Sequence, residues 1–227
     1  GLSTASIDGA IASLQQESPK NTFAEYQDSA EQLWREGLSG ISARFHEPAY
    51  DTIFATALYH TMMAPNLYED ANGRYKGVGG SIQQADDFDR YTVFSLWDTF
   101  RAAHSLFLFT QPNRIEDFYR SMLAFYDESG SLPVWALSGH ETHTMTGYHA
   151  VPVLAEGILK GYIKDEKRIR KAYEAMKKSA MQDIRGTDFY REYEYIPHDK
   201  DGWSVTKTLE YAYDDWCIAQ VAAMLGE

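Results

Sequence analysis

The chain has 227 residues, 44% hydrophobic and 14% aromatic, enough for one large or two small domains and too apolar for wholesale disorder. Its 21 Lys+Arg against 33 Asp+Glu give a formal net charge of -12, which excludes nucleic acid, whose phosphates demand clustered Lys and Arg. A lone Cys217 excludes an intrachain disulfide and a cysteine zinc set, and no stretch approaches the roughly 20 apolar residues of a membrane span.

The opening Gly1-Leu2-Ser3-Thr4-Ala5 carries no signal-peptide pattern and reads as a start from within a longer protein. Helical periodicity then dominates. Residues 6–16 place Ile7, Ile11 and Leu14 at helical spacing. Residues 22–44 predict a long helix, with Thr22 as N-cap and Glu25 three residues on, a capping-box pattern. Residues 51–63 are apolar on nearly every side and predict a core helix. Residues 66–89 carry Asn72-Gly73, Gly77 and Gly79-Gly80 and predict a long loop with a short hairpin around Asn72-Gly73.

Helices are expected again over 93–109 and 113–127, broken by Gly130 and Pro133. Residues 133–146 form a second irregular segment rich in Trp, His, Ser, Thr and Gly. Further helices are expected over 149–162, 165–181 and 205–225, with a Tyr-rich loop over 188–203. The basic run 164–178 is interleaved with acids, the pattern of a solvated helix face. The expected fold class is all-α, with paired antiparallel helices and long loops that carry the aromatic and polar residues.

Tyr91 to Arg101 is an aromatic run in which Asp98 directly follows Trp97. An indole face can cover the C–H face of a pyranose while a carboxylate accepts from vicinal hydroxyls. The alternative is a buried helix whose Asp98 caps or pairs locally. In Trp135 to His143, a glycine turn presents Glu141 between His140 and His143. Glu141 can serve as a sugar-hydroxyl acceptor, a general acid, a metal ligand or a hydrogen-bonded loop acid. The histidine spacing of three does not match the four of a zincin helix. His149 reads as a satisfied, partly buried histidine, with a ligand contact as the alternative. Glu210, Asp214 and Asp215 lie among Tyr211, Tyr213 and Trp216, and Glu210 shares a helix face with Asp214. Such acids either form an acid/base or calcium site or cap and pair structurally. The Gly77–Gly80 loop lacks the Lys and strand–loop–helix context of a phosphate cradle.

Taken in order, these segments resemble glycoside hydrolase family 92. The resemblance rests on Thr56-Ala57-Leu58-Tyr59-His60-Thr61, Asp70 to Tyr75, Tyr91 to Arg101, and Gly139-His140-Glu141-Thr142. It continues through Gly147 to Val153 and Ser204 to Gln220. The chain departs from the family pattern at His140, where the family carries Asn. The resemblance implies an inverting, calcium-dependent exo-α-mannosidase, with an N-terminal β-sandwich and a C-terminal (α/α)6 toroid around an interdomain active site. It implies interdomain linker helices over 1–45 and the first, incomplete part of the toroid over 46–227. The family's Glu-Gly-Asn general-acid stretch, Asn-Glu-Pro calcium stretch and base aspartates do not occur in this sequence. The expectation is therefore no catalytic residue and no metal ligand in this chain, with substrate contacts at Trp97, Asp98 and Glu141. Expected partners are mannose-capped glycans, α-1,2-linked by preference, and the remainder of the same polypeptide, in a secreted, periplasmic or cell-surface setting. Two other readings stand beside it. One is a non-catalytic helical carbohydrate-binding module. The other is a different helical-toroid glycosidase or lyase with its acids among Glu141, Glu210, Asp214 and Asp215.

Overall fold

The computed structural model describes residues 1–20 and 22–227. Helix α1 (Ile7–Glu17) starts where the Ser6 hydroxyl accepts from the Gly9 amide at 3.0 Å. Helix α2 (Phe23–Gly37) opens on the expected capping box: Thr22 Oγ1 accepts from Glu25 N, and Glu25 Oε2 accepts from Thr22 N at 2.9 Å. The helix ends at Gly37 and a 3-10 turn, Leu38–Gly40, rather than running to residue 44. Helix α3 (Pro48–His60) has proline in its first turn, where no N–H is needed.

Contrary to the sequence expectation, α3 is not a core helix. Leu58 is its one buried residue among those described, while Tyr50 is 53% and Ile53 59% exposed. Apolarity on all sides needs neighbours on all sides, whereas α3 packs on the 3-10 turn, Trp34 of α2 and Phe45 and leaves most of its surface open. The N-terminal segment is tied on by polar contacts instead. Ser3 Oγ donates to Asp70 Oδ2 at 2.8 Å, and Ser13 Oγ accepts from Ala71 N at 3.0 Å.

The 66–95 region is strand-bearing: β1 (Asn66–Leu67), β2 (Arg74–Lys76), β3 (Ile82–Gln84), β4 (Tyr91–Thr92) and β5 (Phe94–Ser95). Strands β2 and β3 form an antiparallel hairpin with Tyr75 opposite Gln83. Its turn is 77–81, where Gly79 and Gly80 take φ of 82° and 91°. Asn72-Gly73 makes the tight turn before the hairpin rather than its tip, with Gly73 N donating to Asp70 O at 2.8 Å. Buried Glu128 fastens the hairpin to the body, accepting from Tyr75 OH and Val78 N at 2.8 Å each, with Arg90 3.6 Å away.

The expected 93–109 helix is divided. Val93 has a positive φ of 62°, β5 follows, then α4 (Leu96–Thr99) and α5 (Ala103–Thr110). Next come α6 (Ile115–Ser129), β6 (Trp135–Leu137) and β7 (His140–Glu141), and β5, β6 and β7 join as one antiparallel sheet. The all-α expectation is thus amended to a mostly helical fold with three small sheets among the described residues. The ladder pairing Phe94 with Ala136 gives backbone groups at 94–95 partners that local helical propensity does not supply.

The remaining helices are α7 (Ala150–Leu159), α8 (Glu166–Ala180), α9 (Thr187–Tyr193), inside the expected Tyr-rich loop, and α10 (Ser204–Leu225). Helix α8 buries Ala172, Tyr173, Ala175, Met176 and Ser179, one helical stripe, and turns its basic residues outward to pairs such as Lys171 with Asp127 and Arg170 with Glu166. Helices α6, α7, α8 and α10 enclose the core, where Phe118, Met122, Leu154, Met176 and Tyr211 are nearly inaccessible. Each such side chain contributes roughly 1.5–3 kcal/mol. Against this core β5, α4 and the turn before α7 are laid down.

Candidate carbohydrate site

Trp97 projects from α4, whose four residues follow directly on strand β5. Its indole Nε1 donates to Glu210 Oε1, on the first half of α10, at 2.9 Å. The same oxygen accepts from Arg101 Nη2 at 2.9 Å, and the guanidinium lies 5.3 Å from the Trp97 ring centre. The other oxygen, Oε2, accepts from the hydroxyl of Thr146 and faces His149 Nε2 at 3.3 Å. One carboxylate therefore fixes the rotation of the indole, the arginine and the 146–149 turn together.

His149 is buried behind Glu210. Its Nδ1 lies 2.8 Å from Asp214 Oδ1, and its ring stacks on Phe100 with centres 3.9 Å apart. Asp214 also accepts from the Tyr148 amide at 2.8 Å, so its oxygens act as acceptors and Nδ1 carries a hydrogen. Burial pushes the Asp214 carboxyl up from its ordinary range, and the hydrogen bonds from His149 and Tyr148 pull it back. Asp215 is also raised by burial, and accepts from the Tyr148 hydroxyl at 2.6 Å. The α10 acids thus divide: Glu210 faces Trp97, whereas Asp214 and Asp215 secure the turn that starts α7.

Asp98 points outward and is exposed, with Ser95 Oγ donating to its Oδ2. Its position beside Trp97 leaves carboxylate lone pairs open to solvent. Glu141 is placed differently. Strand β7 brings it back against β6, where its carboxylate accepts from the amides of Val134 at 2.7 Å, Trp135 at 3.0 Å and His143 at 2.7 Å. It organises its own loop, and of about four lone-pair directions one remains. The sheet that carries Glu141 also carries Ser95, two residues before Trp97, so the two expected contact regions share one scaffold. Sequence reasoning paired Glu210 with Asp214 on a helix face but did not connect Glu210 with Trp97; nothing in the local spacing links residues 113 apart.

Trp97, Met145, Thr146, Trp203 and Thr206 line a cavity of about 240 Å³. Met145 and Thr146 belong to a loop in which His143 and Met145 have φ of 51° and 69°. Arg185 holds that loop, donating to the carbonyls of His143 at 2.9 Å, Met145 and Gly147 at 3.4 Å. Two indoles, two hydroxyls and one thioether make an amphipathic hollow suited to a sugar. Among the described residues no group of three or more His, Cys, Asp or Glu converges as a metal-ligand set. The donor chemistry agrees: Glu210 and Glu141 face N–H and O–H donors, an arrangement that does not suit a hard cation seeking six to eight oxygens.

The model of the Glycosyl hydrolase family 92 catalytic domain matches residues 9–227. The chain belongs to this family. Among solved structures, the family 92 α-mannosidase BT3965 from Bacteroides thetaiotaomicron superimposes with a TM-score of 0.91 at 42% identity, over 99% of this chain and 30% of that one. BT3965 has also been solved in complex with mannoimidazole. The family 92 inverting mannosidase BT2199 from the same organism gives a TM-score of 0.88 at 31% identity, over 97% of this chain and 31% of that one. An uncharacterized secreted glycosidase from Arthroderma benhamiae is 25% identical over all of this chain and 28% of its own length. The family 92 chain thus spans less than a third of each of these relatives.

Proposed function

We propose that this chain is part of an inverting exo-α-mannosidase that removes terminal mannose, α-1,2-linked by preference, from glycans such as N-glycans outside the cell. The observation that carries the reading is the fixed indole of Trp97 beside the open carboxylate of Asp98. Trp97 takes the apolar face of the mannose ring. Asp98 accepts from its hydroxyls. Glu141 offers its remaining lone pair as a third contact. Similarity to two bacterial family 92 mannosidases and a secreted glycosidase supports both the substrate class and the extracellular setting.

In this reading residues 1–45 are interdomain helices and 46–227 the first part of a helical toroid completed by the rest of the polypeptide. Inversion needs an acid and a base roughly 6.5–9.5 Å apart on opposite faces of the sugar. Glu210 and Asp214 are engaged in positioning contacts, so the proposal assigns the acid and base to residues outside this chain. The calcium implied by the family resemblance is assigned ligands outside it as well.

The test is turnover of α-mannosides by the full-length polypeptide, with the product anomer followed by proton NMR. The expected result is β-mannose as first product, with Asp98→Asn strongly impaired. Mannose binding without turnover favours the binding-module reading. Turnover by the isolated 227-residue chain, lost in Glu141→Gln or Asp214→Asn, favours a different toroid enzyme.

A further inference from the structure

Helix α4 cannot hold its own tryptophan still. It has four residues, too few for a self-supporting helix, and no side chain caps its start. Leu96 is fully buried and pins the backbone, but the Trp97 side chain beside it is only half-buried and turns about two bonds of its own. What stops that rotation comes from α10, which packs on α7 and α8 and places Glu210 among the buried Lys207, Tyr211 and Asp214.

The Glu210 side chain is 12% exposed. A carboxylate offers about four lone-pair directions. Trp97 Nε1 and Arg101 Nη2 donate to one oxygen at 2.9 Å each, Thr146 donates to the other, and His149 Nε2 closes the fourth side at 3.3 Å. Nothing is left over for a sugar hydroxyl. The bond to the indole is charge-assisted and joins two separate helices, so it fixes the ring before any ligand arrives. We propose that Glu210 is a positioning residue for sugar binding, holding the Trp97 indole in its presenting orientation through Nε1 without itself touching the mannose. The inference rests on the mannose reading of Trp97 given above. Its role is neither acid nor base: the ring that covers the sugar is ordered during folding, and binding does not have to order it.

The experiment is calorimetry with mannoimidazole on the full-length polypeptide. Glu210→Leu and Glu210→Gln are each made in the wild type and in Trp97→Phe, whose ring has no N–H. Glu210→Leu is expected to weaken binding about tenfold, the scale of one side chain frozen by its ligand. Glu210→Gln keeps an oxygen acceptor for the indole and is expected to recover most of that loss. In Trp97→Phe, Glu210→Leu is expected to add little, because the bond it removes is already gone. The same loss in both backgrounds, or no loss in either, overturns the assignment. If Glu210→Leu does not fold, a tryptophan analogue with sulfur in place of the ring N–H at position 97 decides. It keeps the shape of the indole, so a tenfold loss upholds the assignment and undiminished affinity overturns it. A wild type that does not bind mannoimidazole refutes the mannose reading, and the assignment with it. A wild type that binds, with equal loss in both backgrounds, refutes the positioning role alone.

Discussion

His149 and Asp214 meet at 2.8 Å with both side chains almost wholly inside the protein. From the opposite edge of the same ring, Nε2 reaches Glu210, and Glu210 holds Trp97. A continuous polar line therefore runs from the core to the indole that lines the hollow.

Removing Asp214 should destabilise the fold more than any surface acid. Asp214→Ala leaves the His149 N–H and the Tyr148 amide without acceptors in a buried place, at a cost of about 3–5 kcal/mol. Asp214→Asn keeps an acceptor for one of them and should cost less. Urea unfolding of the two variants checks the order; equal, small losses would falsify the structural assignment of Asp214.

Stability should fall on the acid side through His104 of α5. This imidazole is fully buried, and desolvation lowers it from 6.5 to about 3. Between those values the unfolded chain binds a proton that the native protein does not. The His104 contribution to stability is therefore level above pH 6.5 and declines as pH falls towards 3, by an amount on the order of 4 kcal/mol. Asp214 works in the opposite sense: its carboxyl is raised by burial, so lowering the pH relieves a cost and offsets part of the decline. His104→Phe should flatten the acid limb of a denaturation midpoint plotted against pH. A limb as steep as wild type would remove His104 as its cause.

Asp98→Asn in the full-length polypeptide should weaken mannose affinity by about 10- to 100-fold, the scale of a hydrogen bond to a charged acceptor. Thermal stability should hardly change, since Asp98 is exposed and hydrogen-bonded only by Ser95 among the described side chains. Calorimetric titration with mannoimidazole, alongside a melting curve, separates the two. A large drop in melting temperature with affinity retained would assign Asp98 to the fold rather than to the sugar.

The isolated 227-residue chain should self-associate and bind hydrophobic dyes. Its largely uncovered α3 carries Tyr50 and Ile53, and α10 presents Leu209 and Trp216 to solvent. Patches of that kind mark surfaces that pack on something else. Light scattering that shows a clean monomer, with no dye fluorescence, would mean these faces are tolerated as they stand.

Much of the helical framework was legible because its periodicity survives in one sequence. The stripe Ala172, Tyr173, Ala175, Met176 and Ser179 and the capping box at Thr22 are local facts. Residues 93–95 depart from the expected helix because β5 exists through a partner strand some 40 residues later. The position of α3 depends on neighbours rather than on its own composition. At the site, Trp97 and Asp98 announced themselves by adjacency. Glu210 did not, because its meeting with Trp97, Arg101, Thr146 and His149 is purely tertiary.

The hold of Arg185 on three successive alternate carbonyls, at 143, 145 and 147, also bears on the thermodynamics of recognition. A flexible loop must be frozen by its guest, and each frozen side chain or peptide subtracts from affinity. Here the freezing is done during folding, by one guanidinium. Sugars bind through many weak contacts and tolerate such a subtraction poorly. In the proposed reading a glycan meets a wall already in its final shape, so affinity should be limited by contact quality and the on-rate by diffusion and orientation, not by a closing motion.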